Sequence, residues 1–222
     1  MDILTFLDNP QLVLKHIGSR SSNPNDLWII DQEWINTALI DDASLSQNDM
    51  TDAIEIVDYD PQWQSMFLLE ASEIAKVLHD LKPVIEHVGS TAVPGLCAKP
   101  IIDMLVGVRD LQEGTVIASL ESSGYVHLPD AGGPDRLFFR KGAVRTHHVH
   151  VVRLYSWTFW RHIIFRDYLI SHPAVGAQYA DLKLTSAKRY RFDRTAYTES
   201  KTEFVGAVLR AATLEAFITI IG

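Results

Sequence analysis

The chain has 222 residues, with 28 acidic and 20 basic side chains for a formal charge of −8, 47% hydrophobic residues and one cysteine. That apolar fraction at this length argues for a real core and against disorder of the whole chain. The lone Cys97 forms no internal disulfide, the start Met1-Asp2-Ile3-Leu4 lacks a basic signal region, and Glu215 interrupts the apolar C-terminal stretch, so a cytoplasmic protein without a membrane span is expected.

The charge is unevenly placed. Residues 1–53 hold nine acids (Asp2, Asp8, Asp26, Asp31, Glu33, Asp41, Asp42, Asp49, Asp52) and two bases (Lys15, Arg20), a balance of −7, which leaves −1 for the rest. The chain therefore divides into an acidic N-terminal appendage with a linker, 1–53, and a near-neutral body, 54–222. Duplex nucleic acid is not expected as a partner, because such proteins present a basic face. A small phosphorylated substrate needs only a local basic cluster. In the appendage, Ile3 to Ile17 and Leu27 to Ile40 are short apolar elements separated by the turn-rich Ser21-Ser22-Asn23-Pro24-Asn25-Asp26. Trp28 and Trp34 predict packing on the body, with a homodimer contact as the alternative.

From residue 54 strands and helices alternate. A short strand at 54–57 precedes a helix whose apolar face carries Trp63, Met66, Phe67, Ile74, Val77, Leu78 and Leu81, with Trp63 as a core anchor. Residues 84–88 and 101–108 are β-rich, 110–123 is a helix stopped by Gly124, 129–134 is a loop, and 137–141 and 147–153 are strands. From Ser156 the period changes to three helices, broken at His172-Pro173 and near Asp193, an N-cap for the last. This order predicts an α/β (α+β) fold, a mixed β-sheet with flanking helices and a C-terminal helical portion.

The segment from His87 to Val106 carries the chemistry. A strand runs into Gly89-Ser90-Thr91, a loop follows, and the next strand presents Asp103. Gly89 lets backbone approach an anion, Ser90 and Thr91 add hydroxyl donors, Lys99 adds positive charge, and Asp103 is an oxygen ligand for a divalent cation. Glu86 and His87 alternate faces, so only one of them enters the cleft.

A strand-borne Gly-Ser followed by a carboxylate on the next strand resembles the nucleotidyltransferase superfamily. With Tyr59-Asp60-Pro61-x-Trp63, Glu86-His87-Val88-Gly89-Ser90-Thr91-x-Val93-Pro94-Gly95-Leu96, Ala98-Lys99-Pro100-Ile101-Ile102-Asp103, Thr146-His147-His148-x-His150, Phe165-Arg166-Asp167-Tyr168-Leu169 and Tyr197-Thr198-Glu199-x-Lys201, the chain resembles the GrpB family over about residues 54–205. That resemblance implies a nucleotidyltransferase-like fold. Some members are fused to dephospho-CoA kinase, where the domain is thought to assist folding, so a kinase-like partner on another chain is the corresponding expectation. Arg166, Lys183, Tyr197 and Lys201 are the candidates for phosphate contacts or base stacking. The other bases of the helical portion, Arg161 and Lys188 to Arg194 among them, are expected on solvated faces.

The chain departs from the superfamily in one respect. Two-metal transfer sites use a carboxylate pair on one strand face, and the position two after Asp103 is Leu105. His148 and His150 share a strand face and with Asp103 form a candidate metal site, so the expected cofactor is a divalent ion, Mg²⁺, Mn²⁺ or Zn²⁺, with two imidazoles favouring a transition metal. A histidine-triad hydrolase would need a third histidine where Val152 stands, and a serine hydrolase would need a Gly-x-Ser-x-Gly elbow that is absent. The expected function is metal-dependent nucleotidyl or phosphoryl transfer from a nucleotide or another phosphorylated small molecule, with Asp103 and Glu86 as catalytic candidates. The alternative is a catalytically degenerate module that binds a partner or assists folding.

Overall fold

The computed structural model describes residues 53–131 and 135–221. The two N-terminal elements, Trp28, Trp34 and the linker lie outside the described residues. Five strands form one mixed sheet in the order β1-β2-β5-β4-β3: β1 (Val84–Val88), β2 (Ile102–Val108), β3 (Tyr125–His127), β4 (Arg136–Lys141) and β5 (His147–Arg153). The β1/β2, β3/β4 and β4/β5 pairs are antiparallel, and β2 and β5 run parallel at the centre.

Both faces of the sheet are covered, which is why β2 reads as a nearly unbroken apolar run. Ile102, Met104, Val106 and Val108, with Val149 and Val151, point to the face packed by α1 (Gln62–Val77) and α2 (Glu113–Ser122). Trp63 anchors α1 there, its ring edge-on to Tyr59 at 5.4 Å. On the opposite face Val88, Leu105 and Val152 pack on Phe159, Trp160, Ile163 and Ile164 of α3 (Trp157–Ser171) and on Leu209 of α6 (Thr202–Ile221).

The helical portion is built onto this second face. Ser156 caps α3 through Phe159 N–H at 3.2 Å, and Pro173 opens α4 (Pro173–Arg189), where its missing N–H costs nothing. Asp193 caps α5 (Arg194–Glu199) by accepting from Ala196 N–H at 2.9 Å, as the sequence predicts. Val93 and Leu96 of the β1–β2 loop pack on Leu169 and Tyr179, so α3 and α4 close over that loop.

Three expectations are corrected. Residues 54–57 form no strand: Val57 makes one antiparallel bridge to Ala98, while Ile54 donates to the Arg191 carbonyl and packs on Tyr197. The three-residue β3 follows Gly124 and was not anticipated, being too short for a periodic signal. The last helix divides in two, because Ser200 turns its hydroxyl to the Tyr197 carbonyl and to Ser186, each at 2.8 Å, and so interrupts the helical ladder. Among the described residues no helix is long and apolar enough to cross a membrane.

The fit of α3 on the sheet depends on Gly107. A Cβ there would sit 2.7 Å from Leu154 Cδ1 and from Phe159 Cε2. Gly107→Ala is expected to lower unfolding free energy by about 1–3 kcal/mol in urea, as overpacking does. Wild-type stability in that variant would show that α3 shifts freely on the sheet.

Candidate functional site

Strand β1 ends at Val88, and the chain turns at Gly89, whose φ of 72° and ψ of −170° suit glycine alone, into a single 3₁₀ turn at Ser90–Ala92. Val88 and His148 both register with Asp103, so the turn lies beside the carboxylate. A Cβ on Gly89 would come within 2.4 Å of Asp103 Oδ2. The other oxygen, Oδ1, is 3.1 Å from His148 Nδ1. A carboxylate accepts, so Nδ1 of His148 donates, and Nε2 is the ring nitrogen left for another partner.

His87 supports the turn from the opposite sheet face. Its Nε2 lies 3.0 Å from Thr91 Oγ1, whose hydroxyl donates to the Ile101 carbonyl, and its ring stacks on Phe67 at 4.8 Å. Burial pushes the His87 imidazole down to about 4, with Asp103 raising it and Arg166 lowering it. The Thr91 proton is therefore committed to the loop. Ser90 is bonded to Tyr179 of α4, a phenol that burial pushes upward.

A cavity of about 130 Å³ opens between this turn and the helices. Gly89, Ser90, Thr91, Lys99, Asp103, His148, Lys183, Tyr197 and Lys201 line it, so most of the sequence candidates converge there. Tyr179 and Lys183, four apart on α4, share a helix face. Lys183 is 2% exposed, and its ammonium donates to the Cys97 carbonyl and lies 4.9 Å from the Tyr179 ring centre. Burial lowers its pKa to about 8, with Cys97 acting upward and Lys201 downward. The Tyr197 ring carries two ammonium groups, Lys201 at 4.3 Å and Lys99 at 5.3 Å.

A second lobe of about 210 Å³ adjoins the first and shares Gly89, Asp103, His148, Tyr179 and Lys201 with it. Its remaining wall is apolar and basic: Phe138, Phe165, Val205 and Leu209 with His150, Arg161 and His162. Arg161 is buried, contrary to the solvated face expected for it. Arg136 donates to His150 Nδ1 at 3.2 Å, and Nδ1 of His162 donates to the Thr158 carbonyl at 2.7 Å. Burial first, then the neighbouring cations, hold both imidazoles well below their ordinary range, so both are neutral at pH 7.

Two candidates lie outside the cavity walls. Glu86, on the α3 side of the sheet, accepts from Arg166 at 2.8 Å, and Arg166 also donates to the His87 carbonyl and to Asp167. Each neutralises the other, so the pair positions β1 against α3. Leu105, where a second carboxylate would stand, is fully buried between Glu86 and His150 in the register and packs in the α3 core. Among the described residues no three His, Cys, Asp or Glu side chains gather as a metal-ligand set. The residues present do not fit a resident ion held by Asp103, His148 and His150, because His150 is turned to Arg136. Of the three, only Asp103 offers the oxygen donors that a hard divalent cation prefers.

Tyr179, Phe138, Arg161 and His162 are lining residues that the motifs did not single out, whereas Phe165 opens one of them. Only Tyr179 had a readable signal, its spacing from Lys183.

Known proteins resemble this chain over its body. The family model described as GrpB protein matches residues 53–211. A UPF0157 protein of Pseudomonas aeruginosa is 43% identical over 169 residues, 72% of this chain and 68% of that protein. The glutamate-rich protein GrpB of Alkalihalophilus pseudofirmus is 35% identical over 162 residues, 69% of this chain and 92% of that one. The crystal structure of conserved protein GrpB from Enterococcus faecalis aligns with a TM-score of 0.67 and 33% identity, covering 73% of this chain and 99% of that chain.

Two measurements probe the turn. Gly89→Ala forces a Cβ onto Asp103 Oδ2 at an unfavourable φ and is expected to cost about 1–3 kcal/mol in thermal or urea unfolding; a neutral result would mean that Asp103 swings away without penalty. The depressed His87 pKa means that the folded state binds fewer protons than the unfolded state between pH 6.5 and about 4, so this contribution to stability is present above pH 6.5 and lost as pH falls. His87→Gln should lose less stability than wild type across that window, by on the order of 2 kcal/mol. Parallel decline in both proteins would place the acid sensitivity in the other buried histidines.

Proposed function

The chain belongs to the GrpB family, and we propose that its cleft binds a nucleotide or another phosphorylated small molecule and transfers a nucleotidyl or phosphoryl group to a small acceptor. The observation that carries this reading is the convergence of the Gly89-Ser90 turn with Lys99, Lys183 and Lys201 around one carboxylate, Asp103, itself bonded to His148. Three ammonium groups meet one carboxylate among the described lining residues, in a partly enclosed space where Coulomb attraction to phosphate is less screened than in water.

The residues divide the work by position. The Gly89-Ser90 turn seats the phosphate chain, with backbone close to it, and Lys183 and Lys201 neutralise its oxygens from the helical side. A divalent ion carried by the phosphates would add Lewis-acid neutralisation of the transferring group. His148, oriented by Asp103 through Nδ1, presents Nε2 as the general base that takes the proton of an acceptor hydroxyl. The acceptor oxygen then bonds to phosphorus as the bond to the leaving phosphate breaks, and the lysines balance the charge released. Leu105 favours a second reading, a module that binds the same ligand without turnover, because the core-buried apolar side chain removes the paired carboxylate that two-metal transfer uses.

Thermal unfolding with each common nucleoside triphosphate, with and without Mg²⁺, tests the reading. At about 100 times Kd a ligand stabilises by roughly 2.7 kcal/mol. Wild type should be stabilised, Asp103→Ala should lose the Mg²⁺-dependent part, and Lys183→Met should lose most of the effect. Because Lys183 titrates near pH 8, stabilisation should weaken as pH rises through that value and its ammonium charge is lost, and Lys183→Met should flatten the dependence. No stabilisation of wild type by any triphosphate would overturn the proposal.

A further inference from the structure

The second lobe differs from the first in its lining. Lobe one presents ammonium groups and a glycine turn to an anion, whereas the wall of lobe two is largely apolar, with Phe138, Phe165, Val205 and Leu209. A dry cavity of about 150 Å³ is enough for a benzene ring. A lobe of about 210 Å³ therefore has room for one planar ring system.

Two imidazoles interrupt that wall, and the tautomer of each is fixed from behind. A guanidinium only donates, so Arg136 at 3.2 Å makes Nδ1 of His150 an acceptor and puts the ring proton on Nε2. A carbonyl only accepts, so the Thr158 oxygen at 2.7 Å takes the Nδ1 proton of His162. Burial and the neighbouring guanidinium groups keep that ring neutral, and its Nε2 is a lone pair. The two rings stand side by side with their centres 5.3 Å apart, so one donor and one acceptor are offered together. Among the described residues neither Nε2 has a hydrogen-bond partner. An occupant that displaces water from the lobe must therefore satisfy both. A hydrocarbon ring would leave both unmet, and an ionised carboxylate or phosphate, which only accepts, would face the His162 lone pair. A neutral heterocycle whose edge carries an N–H beside an acceptor, as a lactam or an aminopyrimidine does, answers both, and its faces suit the aromatic wall.

The geometry points to lobe two as a binding site for an uncharged nitrogen heterocycle of the nucleobase type, its edge read by His150 and His162. Only the further statement that this ring belongs to the acceptor rests on the proposed transfer function. Asp103 and His148 line both lobes, so the sugar hydroxyls of a nucleoside held by its ring would lie where the acceptor oxygen must be.

Ligand-observed NMR with unphosphorylated nucleosides, on the full chain, tests the site apart from the phosphate lobe. Adenosine and uridine are each compared with a counterpart whose edge N–H is methylated away, the dimethylamino analogue of adenosine and 3-methyluridine. Wild type should bind at least one parent nucleoside and should bind its methylated counterpart about tenfold more weakly. His162→Phe, which keeps an aromatic ring and removes the lone pair, should bring parent and counterpart to equal, weak binding while leaving inorganic tripolyphosphate bound. Val205→Phe fills the lobe with both imidazoles in place and should abolish nucleoside binding; it serves also if His162→Phe fails to fold. Lys183→Met should show the reverse pattern, with tripolyphosphate lost and nucleoside retained. Binding of neither nucleoside to wild type, equal binding of parent and counterpart, or full binding by Val205→Phe overturns the inference. Nucleoside binding that depends on His162 without any tripolyphosphate binding would keep this site and remove the phosphate reading instead, and displacement of the nucleoside by tripolyphosphate would overturn its assignment as acceptor.

Discussion

The central strand β2 is sandwiched between helices on both faces, and that constraint decides where chemistry is possible. Along its length every second residue faces α1 and α2 and every other one faces α3, so a charge in the middle would be stranded in hydrocarbon. Only the start of the strand escapes, where the sheet runs out from under α3, and Asp103 occupies that place. Its alternation partner Leu105 is one pleat deeper and belongs to the core. That the described cleft wall carries one carboxylate is thus a consequence of how tightly α3 seats, and Gly107 shows how tight that is.

The rest of the cleft is assembled around this one exit. The β1–β2 loop crosses over it, pinned below by His87 and Thr91 and above by Tyr179, while Lys183 of α4 and Lys201 of the turn between α5 and α6 contribute ammonium groups from the far side. The body as a whole is almost neutral, yet the charges are sorted. Glu86 and Asp167 are spent on Arg166 at the edge of the sheet, and the lysines are gathered over the turn. A chain of net charge −8 therefore offers a locally basic recess.

Much of this was legible in the sequence because it depends on local geometry. A glycine between a strand and a turn, an aspartate at the next strand's start, and a proline and an aspartate opening helices each act within a few residues of their own position. The Asp103–His148 contact was within reach because both lie in runs with a clear strand period. Side chains whose direction depends on docking were not legible. Arg161 and Arg166 sit five apart on the same helix, yet one enters the cleft wall and the other pairs with Glu86, a difference set by the rotation of α3 on the sheet. His150 looked like a ligand by its spacing from His148, but Arg136 on the adjacent strand claims its Nδ1. The break at Ser200 likewise depends on Ser186 of a neighbouring helix.

The bridge between Val57 and Ala98 has a mechanical meaning. Its two backbone hydrogen bonds, each 2.9 Å, fasten the entry of the described chain to the residue immediately before Lys99. A displacement of the stretch 54–57 is carried through Val57 to the rim that bears Lys99 and through Ile54 to the floor beside Tyr197. The bridge therefore acts as a hinge pin, through which the position of the Lys99 ammonium is tied to a stretch of chain that belongs to neither the sheet nor the helices.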